Sequence, residues 1–599
     1  MSIDSLYEGA IAKLTAQNKI VPISQKLLTL KTNEDRVLYV YEILENLKAF
    51  PDIVDVAKKE YVSAYYRNLG NKCFQNSDHY KAWQFYNLSL LHAPCNTDSY
   101  ALAISNRSAV LYSLKKYNES INDIEKVLSL NYPANLKEKL TKRKESCQKL
   151  SGGNVMKEVD DCSFLCLQDP QTPRFPSASS KLEVIFTEEM GRHVIAKSDI
   201  KVGEVLVQEE PYFKLLLKSQ YLFACSYCLS RDSNLFPCSN CCFALYCSNE
   251  CKDKAWSDYH MIECKLMATI IEMQFTKLEF LALRTVIKCR NDHTDWSALF
   301  KTVEDADNNS DTEYRGHMKI DDKWVYDSKY YSSIHTLASN IEKRSVSDIF
   351  QKSVTAAVFL YMLIEKTDFL NGDNKDETAK IKKLVGGLLL HHTMTSPTNM
   401  HGISTNTANI EGNFVDEFSI ASAPYAFLSL INHSCAPNVV RFSKLGTGQM
   451  FLFALRPIKK GMQLFDNYGA HHAIEDLYTR IHHLKFQYKF TCHCEACINN
   501  WPQYLFTRPA KNLPRKLKIQ KEKLLDGNAI DKLQKADRAT AEKIFKPLCE
   551  LAENLDSYAP CTELADCQES LKQCLEIFFG VVPYGYSQLV DWKAVPPKC

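Results

Sequence analysis

Eight potential metal ligands crowd into residues 225–264 as four close pairs: Cys225-x2-Cys228, Cys238-x2-Cys241, Cys247-x3-Cys251 and His260-x3-Cys264. Two ligands separated by two or three residues converge on one ion through a knuckle or a single helical turn, and thiolate with imidazole is the donor set zinc prefers. Eight such ligands complete two closed tetrahedral sites, which are structural rather than catalytic. Scattered buried cysteines would not keep this spacing.

A second group, Cys492-x-Cys494-x2-Cys497, has three thiolates and is one ligand short of a zinc site. Cys435, within Asn432-His433-Ser434-Cys435-Ala436-Pro437-Asn438, is the candidate for the fourth, brought in across space. Metal rather than disulfide chemistry suits the rest of the chain. The start, Met1 to Tyr7, has no basic segment followed by an apolar run, and no eighteen-residue apolar stretch occurs. The expectation is a soluble intracellular protein, cytoplasmic and nuclear, without membrane contact; its 23 cysteines then sit in a reducing compartment.

The chain has 599 residues, too many for one hydrophobic core, so three or four domains are expected. Lys and Arg total 73 against 71 Asp and Glu, a balance that gives no support to gripping nucleic acid as the main task. The cysteine-rich segment also lacks a flanking basic recognition helix. Residues 1–150 read as a helical module. Within it Gly70, Ala82, Tyr86 and Pro94, then Ser108, Ser120, Ile124 and Pro133, fall near the offsets of the tetratricopeptide repeat. Small residues there let two helices approach, the aromatic fills the gap, and a helix over 135–150 caps the stack. Residues 151–180 carry Gly, Pro and Ser and read as a linker. Strand signals follow at 182–186, 193–197 and 204–209 and return at 439–442 and 450–455; 265–405 and 501–599 read as helical.

The run 225–264 resembles the MYND zinc finger, including Phe243-Ala244-Leu245-Tyr246 before Cys247 and Trp256 before His260. By that resemblance the ligands interleave: Cys225, Cys228, Cys247 and Cys251 hold one zinc, Cys238, Cys241, His260 and Cys264 the other. Such fingers bind protein, often proline-containing peptides. The 432–438 segment with 492–497 resembles the SET methyltransferase core and its post-SET cysteines, where a cross-chain zinc closes the active site. Arg456 to Gly461, running on to Tyr468-Gly469, resembles the segment ending in the active-site tyrosine, and Met190-Gly191-Arg192-His193 the first cofactor-binding turn. A MYND finger splitting a SET domain is the architecture of the SET and MYND lysine methyltransferases, and the repeat module resembles their tetratricopeptide-bearing branch.

The resemblance implies an α+β fold. A mostly β SET core (181–224 and 406–470) is interrupted by the finger (225–264) and a helical insert (265–405). A post-SET zinc segment (471–500), the amino-terminal tetratricopeptide-like module and a helical carboxy-terminal region complete it. It implies transfer of methyl from S-adenosylmethionine to a protein lysine, histone or non-histone, with three zinc ions per chain and a monomeric enzyme. Tyr488 and Tyr468 would line the lysine channel. Gly191, Arg192, Asn406, Asn432, His433, Tyr488 and Phe490 would contact the cofactor. Three departures stand out: His193 replaces the second glycine of the cofactor turn, where a Cβ restricts the backbone, Met190 replaces a polar side chain, and Met462-Gln463 replaces the common Glu-Glu. They favour a second reading, a zinc-stabilised adaptor or corepressor with a weak SET core. Finally, Arg67 with Asn71, Asn106, and Lys139 with Arg143 lie on successive repeat helices at spacings that share a face. They resemble the carboxylate clamp that holds acidic chaperone C-termini.

Overall fold

A computed structural model describes residues 1–130, 134–151, 165–167, 171–409, 411–582 and 589–591. Pro133 and residues 152–164 and 168–170 of the expected 151–180 linker lie outside these residues; 171–179 is not linker but forms two strands of the main sheet.

Gly70 sets how closely the first repeat pair packs. It lies on the helix Glu60–Gln75, and a Cβ there would fall 2.6 Å from Tyr86 Cε1 on the partner helix His79–His92. The second pair, Asp98–Ser113 and Tyr117–Leu128, uses the same device with serines: Ser120 Oγ donates to Ser108 O at 2.8 Å, above a fully buried Ile124. The helix Ala134–Leu150 packs on this second pair and buries Leu140 and Cys147.

The helices Ile3–Ala16, Ile20–Thr29 and Asn33–Asn46 belong elsewhere. Asn33–Asn46 lies across Gly386 and Gly387 of the long helix Lys375–Asn399, where added Cβ atoms would meet Val37 Cγ1 at 3.3 Å and Glu34 at 2.7 Å. Ile3 N donates to Met273 O at 2.8 Å, and Lys383 pairs with Asp35 at 3.3 Å. The first 150 residues therefore divide their packing: the opening helices complete the insert core, and the first repeat pair joins the same continuous core through Val62, Tyr66, Leu88 and Leu91. The insert helix Val346–Lys366 has the length and composition to cross a membrane, but it is mostly buried here, with Ala356, Ala357, Val358 and Phe359 fully enclosed.

The SET sheet joins strands from both sides of the finger and insert. Its order is Gln171–Thr172, Phe175–Ser179, Val205–Glu209, Met450–Ala454, Val439–Ser443, all antiparallel. Leu452 faces Val207 and Met450 faces Glu209, so the central pairing links distant parts of the chain. A hairpin, Leu182–Thr187 with Gly191–Ala196, and a short parallel pair, Asn432–His433 with Phe465–Asp466, frame the site. The helices Arg538–Leu555 and Thr562–Phe579 form a second core against the sheet, with Phe579 among Phe442, Phe451 and Phe453. Cys549, Cys567 and Cys574 are core residues there.

Candidate functional site

The ligand atoms of Cys225, Cys228, Cys247 and Cys251 lie within 4.8 Å of one another, as do those of Cys238, Cys241, His260 and Cys264. Neighbouring donors sit 3.5 Å (Cys228 to Cys247), 3.6 Å (Cys247 to Cys251) and 3.9 Å (Cys238 to Cys264) apart. A tetrahedron with 2.3 Å metal–sulfur bonds has edges of about 3.8 Å, so both sets fit zinc. Cys242 is buried outside both sets. The repeats hold one side of this finger: Trp83 Nε1 donates to Ser233 O at 3.2 Å and Asn87 Nδ2 to Leu222 O at 3.1 Å. Between them lies a buried bidentate pair, Arg107 with Asp123, both bonds 2.8 Å. Arg107 Nη1 also donates to Asn87 Oδ1 (2.9 Å) and to Leu235 O of the finger (2.6 Å).

Cys435, Cys492, Cys494 and Cys497 also close within 4.8 Å, with Cys435 and Cys497 sulfurs 3.5 Å apart. The fourth thiolate reaches this set because the 432–438 segment is pinned on both sides. Asn438 Oδ1 accepts from Phe465 N at 2.7 Å, Asn438 Nδ2 donates to Gln463 O at 2.9 Å, and Ser434 N donates to Asp466 O at 2.9 Å.

Tyr468, Tyr488 and Phe490 pack directly on this cluster. The two tyrosine rings are 4.8 Å apart; Tyr468 donates to Ile431 O at 2.7 Å and Tyr488 to Tyr468 O at 3.1 Å. Burial first, and the nearby Asp466 carboxylate second, push both phenols above their ordinary pKa, so neither is a base at neutral pH. His433 sits 5.2 Å from Tyr468 and 6.1 Å from Phe490. Its Nδ1 accepts from Tyr468 N at 3.0 Å, which assigns the proton to Nε2, 3.4 Å from Cys435 Sγ. Burial lowers its pKa to about 4, keeping the ring neutral. Asn432 Nδ2 donates to Met190 O at 3.2 Å, which joins the Met190-Gly191 turn to this group.

Gly191 has φ +66° with open space where a Cβ would stand, a cradle that fits close approach by a ligand. His193 lies outside the left-handed region and folds its ring back onto Gly191 O, Nδ1 at 2.9 Å. The backbone restriction expected from its Cβ does not arise. Met190 is exposed, and Arg192 donates to Arg315 O and Thr336 O, both at 2.8 Å. Asn406 lies on the strand Met400–Ala408. Its carbonyl accepts from Val582 N at 2.9 Å and its side chain bonds Glu576, so the carboxy-terminal region holds it.

The strip Thr336–Asn340 instead connects the site residues. Thr336 O takes Arg192, Ala338 O takes Asn399 Nδ2 at 2.8 Å, and Asn340 Nδ2 reaches Tyr488 O at 3.5 Å. Glu209 is a second residue that sequence reasoning missed. Fully buried, it accepts from Phe427 N (2.9 Å), Leu428 N (3.0 Å) and Ser328 Oγ (2.7 Å), fixing the turn before Asn432. Burial raises its pKa to about 7 against those three donors. Arg441 pairs with Asp466 at 2.5 Å, just before Tyr468. Of the five repeat residues, Asn106 Nδ2 donates to Asn71 Oδ1 at 3.0 Å, and Arg143 turns to Ser105 O (3.1 Å) and Ser108 Oγ (2.6 Å). Lys139 is exposed, and Arg67 Nη1 is buried without a hydrogen-bond partner.

The family profile described as SET domain matches residues 191–469. The zebrafish (Danio rerio) Protein-lysine N-methyltransferase SMYD4 is 25% identical over 524 residues, covering 76% of this chain and 68% of that protein. The Homo sapiens SMYD4 is 24% identical over 548 residues (74% and 67%), and the Homo sapiens N-lysine methyltransferase SMYD2 is 23% identical over 370 residues (61% and 71%). The chain thus carries a SET domain and is similar over most of its length to proteins of the SET and MYND domain family. Its SET halves, the cysteine clusters and the amino-terminal helical repeats are the parts of that architecture.

Proposed function

We propose that this chain is a protein-lysine N-methyltransferase in which Tyr468 and Tyr488 present the substrate amine and the Gly191, Asn432, His433 and Phe490 face holds S-adenosylmethionine. The observation that carries this reading is the convergence of three chain segments on one point. Asn432 bonds the Met190 turn, His433 receives Tyr468, and Cys435 closes on the thiolates beyond Tyr488 and Phe490. Bound there, the cofactor supplies an electrophilic methyl group on a sulfonium. The chain's own task is to deliver a neutral, aligned amine. A lysine ammonium has a pKa of about 10.4 in water, and an aromatic, dry wall disfavours its charged form. The Ile431 and Tyr468 carbonyls, already accepting from the phenols, fix both hydroxyls in position to orient the nitrogen. With both phenols kept neutral by burial, the amine proton leaves to water rather than to a tyrosine.

Three zinc ions are proposed at the three sulfur-containing clusters, supported by the thiolate and imidazole donor sets and their tetrahedral spacing. S-adenosylhomocysteine titrated by calorimetry, followed by labelled methyl transfer to cell extract, tests the enzyme reading. Asn432→Ala should lose cofactor binding, and Tyr488→Phe should keep binding while losing transfer. Absence of cofactor binding by the wild type refutes the enzyme. For the repeats we propose an acidic peptide C-terminus held at Arg67 and Lys139, the support being the unpartnered buried Arg67 Nη1. Unchanged affinity of Arg67→Ala with Lys139→Ala for a peptide ending Glu-Glu-Val-Asp refutes that. The finger is proposed to take a proline-containing peptide on surface the repeats leave open.

A further inference from the structure

Among the described residues, a fourth group of side chains closes on one point, and it contains no sulfur: His335, His391 and His392, one ring nitrogen of each within 4.8 Å of the others. His391 and His392 lie on the helix Lys375–Asn399, and His335 ends the helix Tyr331–His335. The outer nitrogen of every ring is already engaged. His335 Nε2 is 2.8 Å from Asp307 Oδ1, His391 Nε2 is 2.8 Å from His335 O, and His392 Nδ1 is 3.3 Å from Thr395 Oγ1. The carboxylate and the carbonyl only accept, so His335 and His391 donate outward through Nε2; with the Thr395 Oγ1 proton on His392 O (3.4 Å), His392 donates outward through Nδ1. In that arrangement each imidazole leaves a lone pair on its other nitrogen. This is the outer-shell arrangement that orients metal-binding histidines.

The inward side is short of protons. His335 Nδ1 and His392 Nε2 both face the Tyr331 hydroxyl, at 3.1 and 2.8 Å. That hydroxyl has one proton, so it satisfies one ring and sets its oxygen lone pair against the other. A cation held between the rings would take up the inward lone pairs. We propose that His335, His391 and His392 form a fourth metal site, taking a divalent transition ion of the zinc class with the Tyr331 oxygen as a further donor. Three imidazoles and an oxygen suit such an ion. Asp307 is 64% exposed, so the site opens to solvent at its outer shell. The ion ties His335 to the long insert helix. His335 adjoins the Thr336–Asn340 strip that carries Arg192 and reaches Tyr488, so occupancy stiffens that wall of the methyl-donor face.

The full-length chain, saturated with zinc, desalted and counted by mass spectrometry, should hold four ions, and the His391→Gln, His392→Gln variant three. Cobalt substitution identifies the ion lost: the near-ultraviolet thiolate charge-transfer bands should keep their intensity in the variant while one equivalent of visible absorption disappears. A wild type that saturates at three ions, a variant that still holds four, or a loss that takes thiolate bands with it overturns the proposal. Should the variant not fold, diethylpyrocarbonate labelling of wild-type His391, mapped by peptide mass, tests the site without a substitution. Zinc should protect a residue that is reactive in the chelated protein; equal labelling with and without zinc overturns the site.

Discussion

Replacing Glu209 by glutamine removes a buried charge while keeping the side chain's size and one acceptor. The carboxylate receives three donors, from Phe427 N, Leu428 N and Ser328 Oγ. In the variant an amide NH2 faces Leu428 N–H across the 3.0 Å now spanned by a hydrogen bond, leaving donor against donor. That mismatch costs about 1–3 kcal/mol. The wild type has its own cost, which grows with pH. The Glu209 carboxyl titrates at about 7 in the folded chain against an ordinary 4.5. A folded pKa above the unfolded one means a contribution fully present below pH 4.5 and lost as pH rises through 7. Between pH 6 and 8 the loss amounts to roughly one pKa unit, about 1.4 kcal/mol. Glutamine does not titrate, so the stability gap between wild type and variant should narrow by that amount over this interval. Urea midpoints of both proteins at pH 6 and pH 8, in one zinc-containing buffer, measure the gap, and every other titrating group cancels in the difference. A gap that stays constant or widens would refute the assignment of a desolvated, titrating carboxyl behind Asn432.

Gly70→Ala should destabilise the repeats despite a helix-propensity gain of about 1 kcal/mol. The new Cβ meets a Tyr86 ring whose hydroxyl is tied to Asn71 at 2.8 Å, an overpacking cost of about 1–3 kcal/mol. In a Tyr86→Ala background the same substitution should stabilise, and thermal melts of the four proteins read the sign. Asp123→Ala leaves the Arg107 guanidinium buried without its counter-charge, a loss of about 3–5 kcal/mol. Limited proteolysis should then cut between repeats and finger; an unchanged digest counts against the docking. Cys435→Ser should remove one zinc and weaken S-adenosylhomocysteine binding together, because Cys435 anchors the segment carrying Asn432 and His433. Zinc loss with unaltered affinity in calorimetry would separate the two.

The cysteine clusters are readable because each pair is local: two or three intervening residues place both sulfurs on one side of a turn whatever the rest of the fold does. Cys435 is readable for a different reason, the incompleteness of a three-thiolate set. Gly70 and Tyr86 are readable as one contact because the repeat period carries it. The remainder depends on long-range packing. Helical periodicity identifies Asn33–Asn46 as a helix but says nothing of its partner. The signal that is present, Gly386-Gly387 in mid-helix, names a close approach without naming what approaches. Asn406 rests on a loose match, whereas the strip joining Arg192 to Tyr488 comes from an insert without strict period. Glu209 reads in sequence as an acid ending a strand, and only the returning 427–428 turn makes it a buried acceptor. His193 looks obstructive in sequence because glycine permits any backbone angle; the turn uses that freedom at Gly191 alone.

The pairing of Val205–Glu209 with Met450–Ala454 has a consequence for how the protein is made. A ribosome emits the first strand and then the whole finger and insert before its partner exists, roughly ten to fifty seconds at ~5–20 residues per second. Throughout that interval the nascent strand offers an open edge, the feature most prone to mispairing. The repeats and finger, whose contacts are closer in the chain, complete themselves meanwhile. A message truncated before Met450 would therefore not yield a merely inactive enzyme. It would release a folded binding half joined to a bare strand, a species for chaperones to hold or proteases to clear.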